Sequence, residues 1–152
     1  MSDSDLIKLY SGRILELAAS IPRTGRLEAP DASVRRRSPL CGSTVTVDIS
    51  VRDGRIVDYA QDVKACALGQ AAASVVGSVA IGRNRAEVDA ARDALKQMLK
   101  ADGPDPGHPF EDLGVLRPAR DYKNRHASIM LTLEALSEAM AEAESHAALR
   151  QG

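Results

Sequence analysis

From Thr44 to Arg52 the chain alternates with a period of two. Val45, Val47, Ile49 and Val51 fall on one side, and Thr44, Thr46, Asp48 and Ser50 on the other. That pattern predicts a strand buried on one face only, as in an antiparallel sheet. The Asp-Gly pair in "RDGR" is a turn signal, and "IVDYAQDVKA" reads as the returning strand of a hairpin. After Cys66 the period changes to that of a helix, with Leu68, Ala71, Ala72, Val75, Val76 and Val79 on one face and Gly82 beyond its end. A further helix is predicted from about Arg85 to Lys100. Asn84 and Glu87 are spaced as a capping box, and Val88, Ala91, Leu95, Met98 and Leu99 turn inward.

The flanks carry two more helical patterns. "DSDLIKLYSGRILELAAS" groups Leu6, Leu9, Tyr10, Ile14, Leu17 and Ala18, with Asp3 or Ser4 as its cap and Pro22 closing it. The last helix is predicted over about 128–149, with Ile129, Leu133, Leu136, Met140 and Ala143 inward. Residues 22–40 contain three prolines, a glycine and several charges without periodicity, and read as an irregular arm. Residues 101–125 read as a long loop with four prolines and three glycines, carrying a short helical turn around 110–116. Loops of that length tend to be functional. The expected architecture is a single α+β domain over 1–152, a small antiparallel sheet with helices gathered on one side.

Composition narrows the function. The chain has 152 residues, 20 basic and 21 acidic, with no Trp and one Phe, so the core is aliphatic and surfaces for stacking bases are scarce. A formal charge of −1 gives no global field toward nucleic acid or a membrane surface. No leader-like start and no long apolar run is present, so the expected location is cytoplasmic, where cysteines stay reduced. The longest basic run is Arg35-Arg36-Arg37, a solvated stretch or a surface that steers an acidic partner.

Candidate chemistry centres on the two cysteines. Cys41 precedes the first strand of the hairpin and Cys66 follows the second, so the hairpin can bring both thiols to one end. Cys66 also stands at a helix start, where N–H groups favour a thiolate. Gly42 lets the backbone turn closely after Cys41. Free cysteines also serve as small buried hydrophobes. Of the three histidines, His108 reads as exposed in its Pro/Gly loop and His146 as solvent-facing. His126 stands just ahead of the last helix. Two thiolates and an imidazole suit zinc, copper(I) or an iron–sulfur cluster. There is no C-x-x-C, no phosphate-binding glycine loop and no G-x-S-x-G, and Ser43 has no base that the sequence can identify.

The order of "IPRTGRL", "SPLCGS", "RDGRIVDYAQDV", "ACALGQAAAS" and "RHAS" resembles the NifU/IscU-type iron–sulfur cluster assembly scaffolds, including the SufU subgroup, from about Leu6 to Met140. The resemblance implies the fold of that family and a non-enzymatic scaffold. Such a scaffold holds a transient cluster, or zinc, on three cysteines completed by an Asp or a His. It receives sulfur from a cysteine desulfurase and passes its product to apo-protein acceptors or a chaperone. Cys41 and Cys66 match two of the cysteines and His126 the histidine. This chain departs from the pattern twice: Ser43 stands at the place of the aspartate and Ala127 at the place of the third cysteine. The donor set Cys41, Cys66 and His126 is one short of a tetrahedral site. Water, a partner's side chain, Asp62 or Asp121 would complete it, and a cluster bridged across a homodimer is a further arrangement. The same departures are compatible with a metal-free regulator of a desulfurase, or with a zinc-dependent relay of persulfide sulfur.

Overall fold

Alternation, turn chemistry and helix caps account for most of the chain's path. The computed structural model describes residues 11–39 and 42–151. Its elements run α1 (Gly12–Ala19), β1 (Ala32–Arg37), β2 (Thr44–Arg52), β3 (Arg55–Lys64), α2 (Ala67–Val79), α3 (Arg85–Ala101), a 3-10 helix (Glu111–Asp121) and α4 (Lys123–Gln151). The strands form one antiparallel sheet in the order β1-β2-β3. The predicted hairpin turns at Asp53 and Gly54, both at positive φ (53° and 77°), the backbone that favours Asp-Gly.

Val45, Val47 and Ile49 face inward with Ala32 and Val34 of β1 and Ile56 and Tyr59 of β3, and all are buried. Against them lies α4, which packs on β1 and β2 and also touches α2, α3 and the 3-10 helix. Burying each aliphatic side chain of this size contributes about 1.5–3 kcal/mol, so the centre of α4 anchors the core. The inward residues predicted for it, Ile129, Leu133, Leu136, Met140 and Ala143, are all buried. The five predicted for α3 are also buried, and Asn84 and Glu87 form the capping box in both directions. Helix α2 contacts α1, α4 and β3, so Gly69, Ala73, Ser74 and Gly77 are buried along with the predicted face, of which Val79 alone is half-buried.

Four expectations are corrected. The arm expected to be irregular over 22–40 carries β1, an edge strand whose inward residues are Ala32, Val34 and Arg36. The loop expected over 101–125 carries an eleven-residue 3-10 helix in which Leu113, Leu116 and Ala119 are buried. Helix α4 begins at Lys123, so His126 lies within it rather than ahead of it. Asp48, placed by alternation on the solvent face, has 0% exposure. Segment 22–31 crosses the sheet there: Arg26 Nε (2.7 Å), Leu27 N (3.0 Å) and Ser33 Oγ (2.6 Å) all donate to the Asp48 carboxylate. The caps expected at Asp3 or Ser4 lie outside the described residues; Ser11 caps α1.

On the inner face Gln61 is fully buried, opposite Val47. Its Nε2 donates to the carbonyls of Pro22 and Ala73, and its Oε1 accepts from the Tyr59 hydroxyl. The buried amide is therefore satisfied while tying segment 22–31 and α2 to the sheet.

Candidate functional site

The end of the sheet where β2 starts and β3 ends collects three chain segments. Thr44 pairs with Lys64 there, so Ser43 and Cys66 leave the same rim in opposite chain directions. The β1–β2 connection is closed by Ser38 N donating to Ser43 O (2.8 Å) and Gly42 N to Ser38 O (2.9 Å), with Gly42 at φ 71°. The third segment is the first two turns of α4, which carry His126, Ala127 and Ser128.

Cys66 is the N-cap residue of α2, but its side chain makes no capping hydrogen bond. Its Sγ lies 3.5 Å from Ser128 Oγ, and Ser128 Oγ lies 3.0 Å from Ser43 Oγ. Both serines are buried and Cys66 is half-buried. The approach of α4 depends on Gly69: a Cβ there would lie 2.6 Å from Ser128 Oγ and 2.8 Å from Ala65 Cβ. Ser43 thus bonds to Ser128, whose hydroxyl also meets the Cys66 sulfur.

His126 is buried. Its Nε2 donates to the carbonyls of Ala119 (2.9 Å) and Arg120 (3.1 Å) at the end of the 3-10 helix. In a neutral ring this fixes the tautomer and leaves Nδ1 as the acceptor, the arrangement by which a backbone carbonyl orients a metal-ligating histidine.

Sequence reading and structure meet unevenly here. Cys41 lies outside the described residues. Asp62 lies on the outer face of the sheet, in a hollow with Lys64 and Thr46. Asp121 is 80% exposed at the end of the 3-10 helix. Among the described residues no three His, Cys, Asp or Glu side chains gather as a metal cluster, so neither carboxylate joins Cys66 and His126 there. His108 is 86% exposed and bonds Glu111. His146 is exposed and its Nδ1 donates to the Asp31 carbonyl. Lys123 and Arg125 form no ion pair with described residues. Ser128 was the residue missed. Its signal was the pairing of a small residue after "RHA" with a glycine three positions into α2. Neither helix pattern alone reveals that pairing.

Among the described residues no helix is long and apolar enough to cross a membrane. Residues 9–142 match the family model of the NifU-like N terminal domain. An iron–sulfur cluster assembly scaffold protein IscU from Thermotoga maritima is 24% identical over 132 residues, covering 87% of this chain and 92% of that protein. A NifU-like protein (N-terminal) from Brucella abortus is 47% identical and superposes with a TM-score of 0.91 over 93% of this chain and 98% of that one. The structure of a protein described as an iron–sulfur cluster assembly scaffold for the SUF system, from Fervidobacterium islandicum, gives a TM-score of 0.78 at 20% identity. It covers 88% of this chain and 98% of that one, a likeness of fold.

Proposed function

The chain belongs to the family of NifU-like N-terminal domains, and on that premise we propose that it is a non-enzymatic scaffold for iron–sulfur cluster assembly. Cys66 and Cys41 are its thiolate ligands and His126 its imidazole ligand. The observation that carries the reading is the state of Cys66. Its sulfur stands at the N-terminus of α2, is not used as a cap, and sits at a half-buried rim. The positive end of the helix dipole lies beside it. Ser43, two positions after Cys41 in the sequence, bonds the same hydroxyl of Ser128, and the carbonyls that hold His126 leave Nδ1 for coordination.

Iron and sulfide are cargo in this reading, and a cysteine desulfurase supplies the sulfur. With Ser43 and Ala127 in place of two donors, the protein supplies fewer ligands than a closed site requires. Exchange with incoming acceptor thiolates therefore meets fewer bonds to break, which favours release over storage. The Ser128 hydroxyl, 3.5 Å from the Cys66 sulfur, contacts it without competing as a ligand.

The test is anaerobic purification and reconstitution, with iron, zinc and acid-labile sulfide quantified for native protein, Cys41→Ala and Cys66→Ala. The expected result is iron and sulfide uptake with visible sulfur-to-iron charge-transfer absorption in the native protein, lost in both variants. Zinc without sulfide, together with an added sulfur atom on Cys41 or Cys66 after mixing with a desulfurase, identifies a persulfide relay instead. Native protein that takes up neither metal is a metal-free regulator, and the scaffold reading fails.

A further inference from the structure

Strand alternation divides the arginine run at the end of β1. Arg36 shares the inner face with Ala32 and Val34 and donates to Glu138 on α4 at 3.0 Å. Arg35 and Arg37 point to the outer face. The register sets Arg37 in a row with Thr44 and Lys64, and Arg35 in a row with Thr46 and Asp62. Arg35, Arg37 and Lys64 are exposed, and none forms an ion pair or side-chain hydrogen bond with described residues. The helices packed on the sheet lie on its other face. Segment 22–31 covers the outer face only as far as Arg26 and Leu27 over Asp48. Beyond it lies an open hollow of about 240 Å³ lined by Arg26, Arg35, Thr44, Thr46, Asp62 and Lys64.

We propose that this end of the outer sheet face docks an acidic segment of a partner protein, whose carboxylates are taken up by Arg35, Arg37 and Lys64. Arg35 and Arg37 stand two residues apart on one strand, roughly 7 Å, the spacing at which an extended acidic segment repeats its side chains. Lys64, two strands away, adds a third point about 10 Å across the face. Guanidinium groups suit discrete carboxylates through paired hydrogen bonds. Asp62 within the same hollow disfavours the unbroken phosphate row of a nucleic acid, and the net charge of −1 gives such a polymer no wider surface to follow. Lys64 is two residues before Cys66 and Thr44 directly follows Ser43, so a docked segment brings its owner beside the candidate site. That consequence rests on the scaffold reading; the docking does not.

The test is fluorescence anisotropy with a labelled dodecapeptide of alternating Glu and Thr, on metal-free protein without a desulfurase. The variants are Arg35→Glu/Arg37→Glu/Lys64→Glu, its neutral version with Gln at the same positions, and a control of equal charge change, Arg52→Glu/Lys96→Glu/Lys100→Glu. Charge on an edge strand also discourages pairing with other chains, and the Glu variant keeps that protection, so aggregation does not mimic the effect. Circular dichroism verifies that each variant is folded. The expected result is salt-sensitive binding by native protein, weakened about tenfold or more by the patch variants and less than about twofold by the control. Four results overturn the proposal: binding no tighter than that of a Gln-Thr peptide; equal loss in patch and control variants; tighter, patch-dependent binding of a single-stranded DNA dodecamer; or a native dimer that the patch variants dissociate. Since no iron or sulfide enters the assay, failure here leaves cluster loading intact, and failure of loading leaves this binding intact.

Discussion

Helices α2 and α3 begin in opposite ways. At the start of α3, Asn84 accepts from Glu87 N (2.8 Å) while Glu87 accepts from Asn84 N (3.1 Å), and Arg83 and Arg55 hold the Glu87 carboxylate. At the corresponding places of α2 stand Cys66 and Gly69, with no side-chain cap and no acidic residue in the first turn. Where α3 spends its third residue on closing its own backbone, α2 has a glycine that admits Ser128 from α4. One N-terminus is sealed for stability. The other keeps a sulfur at its tip and is closed from outside by a neighbouring helix, the arrangement suited to a group that must exchange partners.

The largest effect is expected from making the open end resemble the closed one. Cys66→Ser keeps the size of the side chain and installs a preferred N-cap residue on a backbone already extended there (φ −67°, ψ 170°). Iron and sulfide uptake should be lost, while stability should stay level or rise by up to about 1 kcal/mol, read as a Tm increase of about 2–4 °C. Full cluster uptake by this variant would show that Cys66 is a structural thiol.

A second closed polar site, at Asp48, gives the next effect. Burial pushes its carboxyl up, but hydrogen bonds from Arg26, Ser33 and Leu27 N, with the Arg26 charge, more than offset this and hold it below the ordinary carboxylate value. A folded-state value below the unfolded one of about 3.9 means the contribution is complete above about pH 4. It is lost as the pH falls through the folded value. Asp48→Asn should cost about 2 kcal/mol at neutral pH, since it weakens bonds to a buried acceptor, and should flatten the fall in stability below about pH 4. Denaturant midpoints from pH 2 to 7 for both proteins check this.

These contrasts also explain what could be read from the sequence. The closed end of α3 was legible because both partners lie three residues apart, and the hairpin because Asp53-Gly54 carries its own backbone preference. Strand β1 was not, since only Ala32 and Val34 mark its inner face and Arg36 takes the third inward place by reaching across to Glu138. The burial of Asp48 depends on Arg26 and Leu27, more than 20 residues away, and no local pattern carries it. The same holds at the candidate site. Cys66 and His126 stood out by residue type, but the carbonyls that orient His126 and the Ser43–Ser128–Cys66 contacts arise from packing of α4 against α2 and the 3-10 helix. The 3-10 helix itself hid behind Pro118 and Gly114, whose neighbours Leu113, Leu116 and Ala119 do not repeat at the α-helical period.

The closed end can be opened in turn. Asn84→Ala removes the bond to Glu87 N and unseats the reciprocal one, at an expected cost of about 1 kcal/mol. Cluster uptake should be unchanged, because α3 begins at the hairpin end of the sheet, beside Arg55, and the site lies at the other. Thermal denaturation and iron–sulfide quantification on the same sample separate the two.

The smallest stability cost is expected at Ser128, on the helix that closes the start of α2. Removing its hydroxyl takes a partner from Ser43, which is not left without one, and frees the Cys66 sulfur from a 3.5 Å contact. Ser128→Ala should therefore cost only about 0.5–1 kcal/mol. Its use is in combination. Gly69→Ala alone forces a Cβ against Ser128 Oγ and Ala65 Cβ, an overpacking of about 1–3 kcal/mol. In the Ser128→Ala background one of those clashes is gone, so Gly69→Ala should cost less, with a coupling of at least about 0.5 kcal/mol from the double-mutant cycle. Additive costs would mean that α4 does not close the start of α2 through this hydroxyl, and the contrast between the two helix ends would then reduce to a missing cap.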